Sequence, residues 1–455
     1  MKSVLNPQLP TAAGRIVSWP RLLGSSRGLA IAEAAAGAAP LLVIARDVPA
    51  ALELEEEVRF YRGEADWPVR VFPDWECLPY DVFSPHADLV AERLATLARL
   101  PHYTRGVVLV AAATLLARLP PRAYIAAQSF ELRVGATLLS EQLRHQLTEA
   151  SYQNVSQVME PGEYAVRGGL IDLYPVGANV PYRIDLFGET IESIREFDPA
   201  TQRSGRPLDA IELLPAREFP LTEDAIQRFR QGFRARFEGD PQKVAAYRDV
   251  SRGIAPPGIE FYLPLFFPQT ASLFEYLPAN TICVVDDAAE RCAHDFWRDI
   301  NGRYEQLRHD VERPLLAPTE AYWTPQELLA SLHQRPQVLL LDPIETAGAT
   351  TAGEATVDAP PLLPLEAHTE QPYRNLIDFL RTQPGRVLIV AETPGRRETL
   401  RALLGEHEIA ATDVRDWTEF CRLGERICLT AAPLARGLKL RAGPVTVTVA
   451  GPATA

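Results

Sequence analysis

The sequence predicts an α/β protein in three parts: a parallel-sheet domain, a small α+β unit inserted into it, and a smaller α/β domain after a linker. Three observations carry this. Near both ends, short apolar runs stop at turns and lead into amphipathic stretches. Residues 126–213 switch to short alternating strands punctuated by Gly and Pro. Strand-then-helix grammar then returns, and a stretch rich in small residues and prolines precedes a last block. A length of 455 residues, 47% of them apolar and 23% charged, suits several globular domains.

In order along the chain, "PLLVIARD" (40–47) leads into "VPAALELEEEVRFY", and "RVFPDW" (70–75) leads through a loop into "ADLVAERLATLARL" (87–100). "GVVLVAAATLLARL" (106–119) reads as a buried strand running into a helix, so residues 1–125 form the first part of the parallel-sheet domain. The unit at 126–213 contains a helix at 140–151, with Ser140 as its N-cap, and the strands "EYAVRG", "GLIDLYPV", "YRIDLFG" and "ESIREFD". Next, "LTEDAIQRFRQGFRARF" places Ile226, Phe229, Phe233 and Phe237 on one helical face, as core contacts. "TICVVDD" and "QVLLLD" are strand-like and flank a long helix, so 214–347 is the first domain resuming. Residues 348–370 are the linker. Residues 371–455, with "RVLIVAETPGRRETLRALLGEH" and "RICLTAAPL", form the last domain, and the stop just after the apolar run "PVTVTVAG" suggests a sequence cut from a longer one.

The net charge of −13 (59 acidic, 46 basic residues) argues against attraction to DNA by overall field. Five cysteines without a C-x-x-C suggest neither a disulfide framework nor a zinc ribbon, and fit a cytoplasmic setting. No secretory leader and no apolar run long enough to span a bilayer is visible. Only Lys2, Lys243 and Lys439 are lysines, and none follows a glycine, so there is no Walker A loop. The nearest approach is Gly24, Ser25, Ser26, Arg27 and Gly28 in "LLGSSRGLAIAE", a degenerate nucleotide loop with Leu29 and Ala30 where Lys and Ser/Thr belong. Its helix N-terminus can still take an anion.

The same five residues formally match the G-x-S-x-G elbow of hydrolases, but Pro20-Arg21 interrupts the strand that an elbow needs. An active P-loop NTPase or helicase domain, and a hydrolase using Ser25 or Ser26, remain the alternatives. Asp74, Glu76, Cys77, Asp81, His86 and Asp88 gather in "PDWECLPYDVFSPHAD" at a spacing that fits no metal-ligand set. The prolines there predict a rigid connection anchored by Trp75, Tyr80 and Phe83. No metal, cofactor or catalytic residue is predicted for this chain.

The stretch "MEPGEYAVRGGLIDLYPVG" (159–177) sets Arg167 beside two glycines, and a turn needs the glycines but not the arginine. If "YRIDLF" is one strand, Arg183, Asp185 and Phe187 point to the same face. An exposed face of that kind offers a cation, an anion and an aromatic anchor to a protein partner. The residues alone leave a second reading open, in which Phe187 is core and Arg183 pairs internally with Asp185 or Asp172.

"PDWECLPYDVFSPHADLVAERLATLARL", the central block from "VMEPGEYAVRGG" through "REFDPATQRS", and "GIEFYLPLFF" together resemble the N-terminal part of bacterial transcription-repair coupling factors. The central block also resembles the UvrA-binding domain of UvrB. The resemblance implies a degenerate UvrB/helicase-like domain holding an inserted UvrA-binding domain. It places the UvrA contacts on Arg167, Arg183 and Phe187, with Asp185 and Glu189 at the rim. It also implies a non-catalytic chain that recruits UvrA to stalled RNA polymerase, while the polymerase-binding domain and the ATP-driven double-stranded DNA translocase lie beyond residue 455. In the family the docking face is covered by a C-terminal domain until the motor engages, so this chain is expected to bind UvrA constitutively.

Overall fold

The computed structural model describes residues 5–37, 39–341, 350–352, 355–361, 363–364, 371–442 and 445–450. Its first sheet is parallel throughout, in the order β1 (Ile16–Trp19), β14 (Gln337–Leu340), β13 (Ile282–Asp286), β2 (Pro40–Ala45), β4 (Gly106–Ala111), β3 (Val69–Val71). Strands β2 and β4 are buried along their whole length, which is why they read as unbroken apolar runs. Leu42, Ile44, Val108 and Val110 on one sheet face pack with the insert and with side chains from 219–332. On the other face, Leu41, Val43, Val107 and Leu109 pack with helices α1 (Ser26–Ala35) and α2 (Val48–Arg62) and with the last domain. Strands β13 and β14 enter between β1 and β2, so residues beyond 214 complete the sheet begun before residue 112.

The insert is a six-stranded sheet in the order β11 (Ser204–Leu208), β10 (Thr190–Phe197), β9 (Tyr182–Phe187), β8 (Leu170–Leu173), β7 (Glu163–Arg167), β6 (Gln153–Asn154). A ribbon of β5 (Phe130–Arg133) against β12 (Ala210–Leu213) ties its two ends together. Helix Ser140–Glu149 buries Leu143 and Leu147 in the same core as Tyr164, Ile171, Ile184 and Ile194. Where the insert rejoins the first domain, Arg93 and Glu218 form an ion pair with Nε to Oε1 at 2.5 Å and almost no exposure of either side chain. Arg93 Nη1 also donates to the Pro73 carbonyl, and its guanidinium lies 4.5 Å above the Phe72 ring centroid.

The last domain is a mixed sheet, β15 (Thr350–Ala352), β16 (Ala355–Asp358), β20 (Leu438–Ala442), β21 (Val445–Ala450), β17 (Arg386–Ala391), β19 (Ile427–Ala431), β18 (Thr412–Asp413). Helices Arg374–Thr382 and Pro394–Glu406 cover one of its faces. Its other face turns to the first domain, where Trp417 meets Tyr61 edge-on at 5.2 Å.

Four sequence expectations differ. Residues 350–358, assigned to the linker, form a hairpin that extends the last sheet through β20. A segment of small residues and threonines has no periodicity of its own and is ordered by an edge supplied from far along the chain. Residues 348–349, 353–354, 362 and 365–370 of that span lie outside the described residues. Ser140 is the first helical residue rather than the cap, and no side chain caps that end. The helix expected after β4 is a single 3-10 turn, Thr114–Leu116. The insert boundary at 126 falls inside a helix, Arg122–Gln128, so the structural unit begins at β5. The core helix matches expectation: Phe229 and Phe233 are fully buried, with Ile226 and Phe237 packed beside them.

Candidate protein-docking site and the degenerate nucleotide loop

The hairpins β7–β8 and β9–β10 close with two-residue turns, Gly168-Gly169 and Gly188-Glu189, whose first residues are left-handed at φ +65° and +63°. Such turns match the twist of paired strands and admit glycine at that position. Pairing of Leu170 with Asp185 brings both tips to the same end of the sheet. Alternation then puts Arg167, Leu170, Asp172, Arg183, Asp185 and Phe187 on the face opposite the insert core.

Asp172 is the centre of this face. Its carboxylate is buried and accepts both Nε and Nη2 of Arg183, at 2.7 and 2.9 Å, with Arg167 Nη1 at 3.7 Å. Arg183 Nη1 donates to the Gln202 carbonyl and its guanidinium stacks on Phe197, while the Asp172 hydrogen bonds push its pKa further up. The planar fork of Arg183 is therefore satisfied internally, and 15% of its side chain is exposed. Arg167 donates to the Ser156 carbonyl and is half-exposed. Asp185 accepts from Ser193. Phe187, at the tip, is 79% exposed. Glu189 is an exposed turn residue whose carbonyl accepts the Leu138 N–H.

The structure thus brings four of the five sequence-assigned residues to one face and the fifth, Glu189, to the adjoining turn. Of the two readings left open, Phe187 follows the exposed one and Arg183 the internally paired one. Asp172 and Leu170 were not among the assigned residues. Their signal was the period-two register that puts them opposite Arg183 and Asp185.

The degenerate loop is filled by the protein itself. The Ser25 N–H donates to the Gly437 carbonyl at 2.9 Å, and the Gly28 N–H to Glu57 Oε2 at 3.1 Å. A Cβ on Gly24 would stand 2.2 Å from the Gly437 oxygen, and one on Gly28 would stand 2.2 Å from Glu57 Cβ. Ser25 Oγ lies 2.6 Å from Tyr61 Oη, Ser26 Oγ donates to the Leu23 carbonyl, and both serines are buried with no imidazole partner among the described residues. Arg27 Nη2 donates to the Leu341 carbonyl, with Nη1 3.8 Å from Asp286.

Burial, with repulsion from Glu53, pushes the Glu57 carboxyl up to about 8 against the Gly28 hydrogen bond. Folded Glu57 keeps its proton between the usual 4.5 and about 8, whereas the unfolded chain releases it. Its contribution to stability is thus fully present below 4.5 and lost as pH rises through 8. The Glu57→Gln variant, with the acceptor kept and the titration removed, should lose less stability across that window. The difference in slope should approach about 1.4 kcal/mol per pH unit, read from urea melts at several pH values.

In the loop after β3, Trp75 and Tyr80 are anchors: Trp75 meets Phe261 edge-on at 5.8 Å, and Tyr80 is buried with its hydroxyl on the Leu316 carbonyl. Phe83, expected to be a third, is 68% exposed, because the loop turns it away from the core. Among the described residues no group of His, Cys, Asp and Glu could hold a metal ion, and no helix is long and apolar enough to cross a membrane. On the helix Glu223–Arg236 the arginines are tied to the protein: Arg228 to the Phe266 carbonyl, Arg230 to the Tyr247 hydroxyl, Arg234 over the Tyr247 ring, and Arg236 to Glu320.

Residues 130–219 match the UvrB interaction domain, and residues 379–447 match the D3 domain of MFD. The class is therefore a UvrB-type interaction domain set into a parallel-sheet domain and followed by a D3-type domain. The chain is 39% identical over 437 residues to the transcription-repair-coupling factor of Escherichia coli K12, covering 93% of this chain and 37% of that protein. Its identity to the factor of Haemophilus influenzae is 34% over 435 residues (95% and 37%), and to that of Bacillus subtilis 29% over 238 residues (49% and 20%). The chain belongs to the transcription-repair-coupling factor family and spans about 37% of the length of the first two relatives.

Proposed function

We propose that this chain is a non-catalytic docking module that recruits UvrA to stalled RNA polymerase for transcription-coupled nucleotide excision repair. The observation that carries the reading is Phe187, an aromatic side chain exposed at a hairpin tip on the same sheet face as Arg167, within the domain that matches the UvrB interaction family. A large apolar side chain held in water by a fixed turn gains nothing for the fold, and it fits the aromatic anchor of an interface. Phe187 and Arg167 are the contacts, Leu170, Asp185 and Glu189 the surround, and Asp172 and Arg183 the clamp that holds Arg167 in place.

The chain turns over no nucleotide in this reading. The loop N–H groups that would cradle phosphate donate to Gly437 and Glu57, and the lysine and metal-binding hydroxyl are replaced by Leu29 and Ala30. Contacts with RNA polymerase and double-stranded DNA, and any ATP-driven motor, belong to parts of such factors that this chain does not span, and the setting is the cytoplasm. Calorimetric titration with UvrA tests the site: Phe187→Ala should weaken binding by about 2 kcal/mol or more. Arg183→Ala should weaken it through loss of the Asp172 clamp. Undiminished binding by both variants refutes the assignment, and ATP turnover by the purified chain refutes the non-catalytic reading.

A further inference from the structure

We propose that the loop spanning residues 74–83 is a second docking surface, one that takes a protein segment of apolar side chains flanked by lysine or arginine. Leu78, Val82 and Phe83 project from this loop into solvent, and Ile254 and Val311 do so from the two segments that abut it. The contact between the segments is direct. The Gly258 N–H donates to Ser84 Oγ, a Cβ on Gly258 would stand 2.8 Å from the Asp81 oxygen, and Arg313 donates to the carbonyls of Tyr80 and Asp81. Five of the eleven large apolar side chains exposed among the described residues thus fall on three touching segments, which separates them from the scattered apolar exposure of an ordinary surface.

The loop is held rather than loose. Glu76 and Tyr80 adopt left-handed backbone at φ +54° and +59°, a conformation that non-glycine residues keep only when their surroundings impose it. The surroundings do so here: Tyr80 is packed against Phe261, Tyr304 and Tyr322, and Arg303 Nε donates to the Pro79 carbonyl at 2.6 Å. Core contacts therefore fix the backbone while the apolar side chains face outward, so a partner meets a surface with little left to order.

Charge selects the occupant. Asp74, Glu76, Asp81 and Asp88 lie along the loop and the helix after it, and Glu260, Asp310 and Glu312 lie on the abutting segments. Against these seven carboxyl groups stand Arg217 beside Glu260, Arg252, Arg303, Arg313, His86 and His309, so carboxylates still outnumber arginines, and Arg303 and Arg313 direct hydrogen bonds inward to loop carbonyls. The surplus repels nucleic-acid phosphate. It also opposes a second copy of this chain, since a twofold contact would set the same carboxylates face to face. A cationic peptide with apolar anchors satisfies both the apolar centre and the acidic rim.

The test is selection of a random peptide library displayed on phage against the whole chain, with counter-selection on its Phe83→Ser variant. The winners are then measured by fluorescence anisotropy. The expected winners combine large apolar residues with Lys or Arg and weaken as salt is raised. They should lose at least about thirtyfold in affinity on Phe83→Ser or Leu78→Ser. Phe187→Ala should leave them unaffected, which separates this surface from the UvrA reading. Both loop residues are exposed, so the thermal melts of these variants should match the parent. The proposal is overturned if nothing enriches over the counter-selection, if acidic or uncharged peptides win, or if Phe83→Ser instead abolishes self-association in sedimentation or binding to duplex DNA.

Discussion

Replacing Arg93 with alanine should destabilise the protein by about 3–5 kcal/mol, because it leaves the Glu218 carboxylate buried without its cation. Both side chains are almost wholly excluded from solvent, and Arg93 also holds the Pro73 carbonyl and lies over the Phe72 ring. Urea unfolding should show the loss. The double change Arg93→Met with Glu218→Leu should cost less than Arg93→Ala alone, since replacing both charges with apolar groups of similar volume leaves no buried charge unpaired and only the Pro73 carbonyl without its donor. A loss under about 1 kcal/mol for Arg93→Ala would mean that water reaches Glu218. The pair sits where the insert rejoins the first domain, so breaking it should loosen the insert before the parallel sheet, and hydrogen exchange would resolve that order.

The second large effect is expected from Gly24→Ala. Left-handed backbone disfavours alanine by about 1–2 kcal/mol, and the new methyl would stand 2.2 Å from the Gly437 oxygen. A carbonyl cannot swing aside as a side-chain end can, so the last domain has to move off the loop, for a combined loss of about 2–5 kcal/mol. Gly14→Ala is the control: its φ is +71°, yet its nearest neighbour, the His333 oxygen, is at 3.5 Å. It should show the backbone strain alone. Limited proteolysis should attack residues 432–442 in the Gly24 variant and spare them in the Gly14 variant. Equal melts for the two would show that the last domain does not rest on this loop.

The sequence made the layers legible and left the joins obscure. Strands β2, β4, β13 and β17 are short apolar runs whose partners on both faces are apolar, so their burial is written in their composition. The insert was readable from its alternation, and Phe187 fell on the predicted face because strand period is strict. Internal pairing of Arg183 with Asp172 was legible only as one of the alternatives, since that carboxylate comes from another strand and only the register decides the match. The hairpin at 350–358 depends on β20, some eighty residues further on, and the filling of the degenerate loop depends on Gly437. Local pattern carries no trace of such distant partners. Phe83 failed for a related reason: a proline-framed loop that looks like an anchor in one dimension turns its ring outward in three.

The pairing of β1 with β14 has a consequence for how the chain is made. Translation delivers Ile16–Trp19 some three hundred residues before Gln337–Leu340, the strand it lies against. At about 5–20 residues per second that interval lasts on the order of tens of seconds. The insert, whose strands all lie within about ninety residues, can finish folding on the ribosome while the N-terminal strand still waits, open to chaperones, for its neighbour to emerge.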